Sequence, residues 1–207
     1  MIDLILFERL NSLRGMQNVF LDFYLHKRET HRLIEALTDY LLELIRYWAE
    51  IGVDALFLTD DWGTQRSLMI SLEMWREFFK ARYGAIFDEV HRCGMDVLFH
   101  SCGNITQLIP ELIDLGVDII NPLQPTAMDL NEIARVFAGD VAFWGGIDNQ
   151  HLLVEATPEQ VKEEVHRTID LLGKPFGNAY IVSPSNLMTP EIPLENTRAL
   201  CEACHER

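Results

Sequence analysis

The sequence predicts an α/β chain built by β/α repetition of the barrel kind, and three observations carry that expectation. Short apolar runs alternate with amphipathic helical stretches along the 207-residue chain. Four of these runs are entered through a glycine at a helix end: Gly52-Val53-Asp54, Gly94-Met95-Asp96, Gly116-Val117-Asp118 and Gly139-Asp140-Val141. Every run then releases into polar or turn-forming residues, as parallel strands do when both faces are buried and the chemistry sits at their carboxyl ends.

The opening segment, residues 4–23, offers no clear strands. Residues 27–51 place Leu33, Leu37, Tyr40, Leu41, Leu44, Ile45 and Trp48 on one helical stripe. Gly52 stops that helix, and a short strand from Val53 to Leu58 ends in Asp60-Asp61. A second helix runs from about Leu72 to Cys93, with Ser71 as N-cap. Gly94 ends it, and the next strand closes at His100. Residues 105–115 are helical, broken or restarted at Pro110, and the strand VDIINP after Gly116 is closed by Asn121-Pro122. Helix 129–137 precedes Gly139 and the strand VAFWGG. Thr157-Pro158-Glu159-Gln160 opens a helix with Thr157 as N-cap, Pro158 at N1 and Gln160 in capping-box position. It stops at Gly173; AYIVSPSN is a fifth strand, and a last helix starts near Leu194. Five strands fall short of the eight of a closed barrel, and 207 residues fall short of its typical ~250. The repetition therefore describes either an open α/β layer or most of a barrel with its beginning missing.

Composition narrows the function classes. A formal charge of -15 supplies no basic footprint for a nucleic-acid backbone. An acidic total can still surround a basic pocket, so anionic substrates stay open. No stretch reaches the roughly 18 apolar residues of a membrane span, and MIDLILFERLN lacks the basic start and cleavage site of a signal peptide. The four cysteines form no dense disulfide framework, so a reducing cytoplasm is expected. Cys201 and Cys204, although spaced C-x-x-C, read as ordinary residues of the last helix.

The strand ends carry the candidate chemistry. Asp60 and Asp61 side by side could orient a substrate, hold a proton at raised pKa or bind a cation, or they could form a solvated turn. Trp62 and Gln65 share that rim as candidate substrate contacts. His100 and Cys102, two residues apart as they leave a strand, can turn toward one ion, and an imidazole–thiolate pair suits zinc. A catalytic zinc needs a third protein ligand, for which Glu191, the Asp60-Asp61 pair or Ser183 would have to serve. Asn121, Trp144 and Asp148, together with Ser183, Ser185 and Asn186, complete the candidate substrate-binding set. No G-x-S-x-G elbow marks a serine hydrolase. His26, His31, His91, His151, His166 and His205 read as surface or packing residues.

Taken in order, these strand ends resemble the uroporphyrinogen decarboxylase superfamily, which also contains zinc-dependent corrinoid methyltransferases. The matching stretches are residues 57–83, 98–125 (LFHSCGNITQLIPELIDLGVDIINPLQP), 143–150 (FWGGIDNQ) and 183–196 (SPSNLMTPEIPLEN). The resemblance implies one domain over 1–207, a partial (β/α)8 TIM-type barrel holding the C-terminal five β/α units, with the first three strands absent. It further implies that His100 and Cys102 bind Zn2+ as in the methyltransferase branch, with Asp60 or Asp61 orienting the acceptor or tuning the metal's surroundings. That branch uses a further cysteine where this sequence has Ser183 and Ser185. The activity implied is methyl transfer between a corrinoid carried on a partner protein and a thiol or similar acceptor. Decarboxylation of an acidic tetrapyrrole is the alternative, and an N-terminal aspartate that it uses has no counterpart here. Lacking three strands, the chain would expose two sheet edges and an apolar interior. It would then be completed by a missing N-terminal barrel segment on another polypeptide, associate with copies of itself, or serve as a non-catalytic subunit.

Overall fold

The computed structural model describes residues 1–137, 139–173 and 179–206. The apolar runs form five parallel strands in sequential order: β1 Ala55–Thr59, β2 Asp96–His100, β3 Ile119–Leu123, β4 Ala142–Ile147 and β5 Tyr180–Pro184. Register places Thr59 beside His100 and His100 beside Asn121, so the ends of the first three strands meet in one row. Gly146 lies beside Ser183 at the other end of the sheet. The helix predicted over 27–51 is α3, Lys27–Ile51. It buries Thr30, Ile34, Thr38, Leu41 and Ile45, with Leu33, Leu37, Leu44 and Trp48 at the margin. Tyr40, expected on the stripe, is exposed because it lies off that face. Leu72–Trp75 (α4) runs through a π-helical turn, Arg76–Lys80, into α5, Ala81–Arg92. Ile109–Asp114 is α6, Leu130–Phe137 is α7 and Leu152–Glu155 is α8. The predicted capping box opens α9, Pro158–Leu172, with Thr157 and Gln160 bonded reciprocally. Leu194–His205 is α10.

Strand alternation separates two faces. Leu56, Leu58, Val97, Phe99, Ile120 and Phe143 are buried in one apolar cluster with α3 and α5. Phe57, Leu98, Ile119 and Trp144 alternate with them and stay half-exposed.

The opening segment holds no named strand, as the sequence reading has it, but it covers a sheet edge that the reading left bare. It folds as helices α1 (Phe7–Arg14) and α2 (Met16–Leu25), preceded by a short extended piece along the outer edge of β1. Ile2 N–H donates to the Phe57 carbonyl (2.8 Å), Thr59 N–H to the Ile2 carbonyl (3.1 Å) and Ile5 N–H to the Thr59 carbonyl (3.0 Å). The β1 edge, expected to be bare, is thus covered by the chain's own residues. Leu4, at φ 55°, turns the chain out of this pairing and into α1.

Helix α1 has no side-chain cap from its own sequence. Its free N–H groups are met by Asp60, which is fully buried. Leu6 and Phe7 N–H donate to Oδ2 (3.0 and 2.8 Å), Glu8 N–H donates to Oδ1 (2.8 Å), and the Tyr83 hydroxyl donates to Oδ2 (2.5 Å). Burial pushes this carboxyl up to about 7, against the opposing pull of Glu8 N–H, the Tyr83 hydroxyl, Phe7 N–H and Leu6 N–H.

The loops after β1 and β2 are locked together at two glycines. Gly63 N–H donates to the Cys102 carbonyl (3.1 Å) and Asn104 N–H to the Thr64 carbonyl (2.7 Å). A Cβ on Gly63 would meet the Cys102 carbonyl oxygen at 2.5 Å, and one on Gly103, at φ +83°, would meet Gly63 at 2.4 Å. Only glycine fits at either position, and this contact fixes where Cys102 can be.

Two buried glutamates clamp the helical layer. Glu89 holds Arg46 (2.6 Å) and Arg92 (2.5 Å), while Glu111 holds Arg76 (2.5 Å) and Lys80. Arg92 and then Arg46 hold Glu89 below the ordinary carboxylate range; Arg76 and then Lys80 do so for Glu111.

Two outcomes follow from these contacts. Asp60→Ala strands three backbone donors and a hydroxyl in the core, so chemical denaturation should show a loss of about 3 kcal/mol or more. Asp60→Asn keeps one acceptor and should lose less; a D60A protein as stable as wild type would overturn the capping role. The two glutamates have lowered folded pKa values, so their stabilisation is fully present above the ordinary Glu pKa and is lost as pH falls from there through the lowered folded values. Melting temperature should drop on the acid side of pH ~4.5, and the drop should shrink in Glu89→Gln and Glu111→Gln variants.

Candidate metal centre

Consecutive residues after β1 diverge. Asp60 turns into the core, as above, and Asp61 turns to the open end of the sheet, half-buried. Asp61 is held at both ends: its N–H donates to Glu8 Oε2 (3.1 Å), and its Oδ1 accepts from Cys102 N–H (2.8 Å). His100 closes β2 with Nδ1 at 2.6 Å from Asn121 Oδ1. Its Nε2 lies 3.4 Å from Cys102 Sγ and 3.6 Å from Asp61 Oδ1.

A carboxylate oxygen of Asp61, a ring nitrogen of His100 and the sulfur of Cys102 therefore lie within 4.8 Å of one another. Zinc takes O and N ligands at ~2.0–2.2 Å and S at ~2.3 Å, so tetrahedral ligand pairs stand about 3.4–3.6 Å apart. The two separations at His100 Nε2 match that edge length. The donor set has three different atom types and leaves a fourth position open, as a catalytic zinc site does. Burial pushes the Cys102 thiol up to about 12, with the Asp61 carboxylate and then Glu8 adding to it. Cys102 would hold a cation here as the thiolate, since a positive charge between these groups would reverse that balance.

Of the sequence candidates, Asp61, His100 and Cys102 come together here. Asn121, Trp144, Ser183, Ser185 and Asn186 join His100 and Phe57 around a cleft of about 300 Å³. On the other side of His100, Asp3, Glu8, Thr59 and Asp61 line a cavity of about 410 Å³. Asp60 and Trp62 lie elsewhere, in the core. Trp62 stacks on Phe7 at 4.4 Å between ring centres and donates through Nε1 to the Tyr83 hydroxyl (2.9 Å). Gln65 sits exposed on the rim, bonded to the Thr126 carbonyl. Asp148 accepts from Gln150 and His151 N–H (2.7 and 3.3 Å), a turn before α8. Glu191 is not in the three-residue cluster, and Ser183 donates to the Pro184 carbonyl at the cleft wall. His31 stacks on Phe78, His91 pairs with Asp118, and Cys201 and Cys204 ride on α10.

Glu8 and Asp3 were not anticipated. Glu8 lies in the first turn of α1, where burial and then the Asp61 carboxylate raise its pKa. The acid at the start of FERLN was the available signal, an acidic first turn of a helix.

Comparison with known proteins bears on the family and the fold. The family profile "Uroporphyrinogen decarboxylase (URO-D)" matches residues 9–207. The methylated-thiol–coenzyme M methyltransferase of Methanosarcina mazei is 28% identical over 182 residues, covering 86% of this chain and 45% of that protein. The uroporphyrinogen decarboxylase of Thermus thermophilus is 27% identical over 176 residues, covering 85% of this chain and 48% of that protein. In fold, the chain is similar to a solved methyltransferase from Methanosarcina mazei, with a TM-score of 0.74 at 18% identity, covering 95% of this chain and 55% of the other. This chain thus spans about half the length of the curated relatives it matches. With residues 9–207 matched by its profile, the chain belongs to the uroporphyrinogen decarboxylase (URO-D) family.

Proposed function

We propose that this chain carries the metal-binding part of a zinc-dependent methyltransferase, which moves a methyl group between a corrinoid on a partner protein and a thiol or similar acceptor. The cluster of Asp61, His100 and Cys102 carries the reading. Its ligands would hold the ion with a combined charge of -2 when Cys102 is ionised, which neutralises Zn2+ and leaves one position for the acceptor sulfur. A zinc ion bound there keeps an acceptor thiol ionised, and therefore nucleophilic, at neutral pH. Phe57 and Trp144, with ring centres 5.3 Å apart, give the cleft beside His100 an apolar wall that limits water at that sulfur. Asp61 keeps its orientation through the Cys102 and Glu8 contacts.

The charge of the site supports this reading over decarboxylation. Asp3, Glu8 and Asp61 face the cavity next to His100, and no Lys or Arg is among the described residues lining either cavity. A substrate bearing several carboxylates meets repulsion there.

One face of the sheet is open to a covering layer. Phe57, Leu98, Ile119 and Trp144 are half-exposed on it, and Ile181 on β5 is 43% exposed. Further parallel β/α units, on the same polypeptide or on another, would cover this face; self-association is the competing outcome in a sedimentation experiment. No helix among the described residues is long and apolar enough to cross a membrane.

Mass-spectrometric metal analysis should find about one zinc per chain. Asp61→Ala, His100→Ala and Cys102→Ser should each weaken chelator-competed zinc binding at least tenfold, about 1.4 kcal/mol. Undiminished zinc in the His100→Ala/Cys102→Ser double variant would remove the metal centre from the proposal. With its barrel partner present, the zinc-loaded protein should methylate a thiol from methylcobalamin, and Cys102→Ser should abolish this. Carbon dioxide release from uroporphyrinogen without methyl transfer would replace the reading with a decarboxylase.

A further inference from the structure

The buried amide of Asn121 has a use that substrate binding does not explain. Imidazole can ligate a metal only through a nitrogen without a proton, and in neutral histidine one of the two nitrogens carries the proton. Which one does is decided by the partner of the other. His100 Nδ1 sits 2.6 Å from Asn121 Oδ1, an oxygen that only accepts, so the proton belongs on Nδ1. That leaves the Nε2 lone pair facing Cys102 Sγ at 3.4 Å and Asp61 Oδ1 at 3.6 Å.

The residue that carries this amide is buried and its main chain is fixed. Asn121 is 7% exposed, its backbone carbonyl accepts from Ser101 N–H (2.8 Å), and the sheet register sets it directly beside His100. Ser101 in turn takes the Trp62 N–H on its hydroxyl (2.9 Å), which ties this corner to the loop that carries Asp61. An amide in this setting does what a carboxylate or backbone carbonyl does behind many metal-bound histidines: it fixes both tautomer and ring plane.

We infer that Asn121 is a positioning residue that holds His100 in the Nδ1-protonated tautomer and so presents Nε2 to the Asp61–Cys102 site. The inference rests on His100 being a metal ligand, but its first consequence exists without metal. In metal-free protein, long-range proton–nitrogen NMR correlations of the His100 ring should show a dominant Nδ1–H tautomer. Asn121→Leu, of similar volume and without an acceptor, should give a mixture of tautomers and about 10–100-fold weaker zinc binding. Asn121→Asp restores an acceptor and should return both the tautomer and the zinc affinity to within a few-fold of wild type. A substrate-only or packing role predicts the opposite ordering: N121L leaves tautomer and zinc affinity unchanged, and N121D is the damaging variant because it buries a charge. That result, or an Nε2–H tautomer in the wild type, overturns the inference. Loss of zinc binding by wild type with the tautomer intact would instead overturn the metal centre alone. Cobalt(II)-substituted protein gives an independent check, since the d–d absorption should shift in N121L and recover in N121D.

Discussion

A carboxylate with no access to water, surrounded by four donors, holds this half of the molecule together. Desolvating Asp60 costs several kcal/mol, and only the convergence of Leu6, Phe7 and Glu8 N–H and the Tyr83 hydroxyl makes the burial tolerable. The same four bonds tie two separate pieces of chain to the end of β1: the start of α1 and the first turn of α5. Because α1 begins where Asp60 holds it, Glu8 falls beside Asp61 and nowhere else. Because Asp60 turns inward, Asp61 has to turn outward, toward His100. The Asp61–His100–Cys102 cluster therefore depends on a residue that does not belong to it.

The second constraint is backbone against backbone. Gly63 and Gly103 approach so closely that neither tolerates a Cβ, and the Gly63 N–H to Cys102 carbonyl bond runs through that contact. Asp61 then accepts from Cys102 N–H across the same junction. Cys102 is thus fixed by its main chain, with its sulfur 3.4 Å from His100 Nε2. Rigid main-chain placement suits a site whose ligands repel one another before an ion arrives: burial and the Asp61 charge both oppose ionisation of Cys102.

This also explains what the sequence could and could not reveal. The β/α alternation, the glycine stops and the Thr157–Gln160 capping box were legible because each is written in neighbouring residues. His100 and Cys102 were legible for the same reason. Asp60 and Asp61 look alike in a row of letters, and only the fold assigns one to the core and the other to the cluster. Trp62 follows them at the strand end, where rim residues are expected, yet it is drawn inward by Phe7 and Tyr83. The pairing of Ile2 with β1 involves too few residues to show alternation, so the covered edge was invisible. Glu8 could not be placed at the site without first knowing that Asp60 anchors α1.

The two faces of the sheet follow from one arrangement. Parallel strands ending in a row bring their last residues to the same level, so Thr59, His100 and Asn121 become neighbours although about 20 to 40 positions separate them in sequence. Below that row, the same alternation that buries Leu58 and Phe99 against the helices leaves Phe57 and Leu98 on the concave side. An apolar floor under a polar rim lowers the dielectric response beneath the ligands, which strengthens any charge interaction made at the rim.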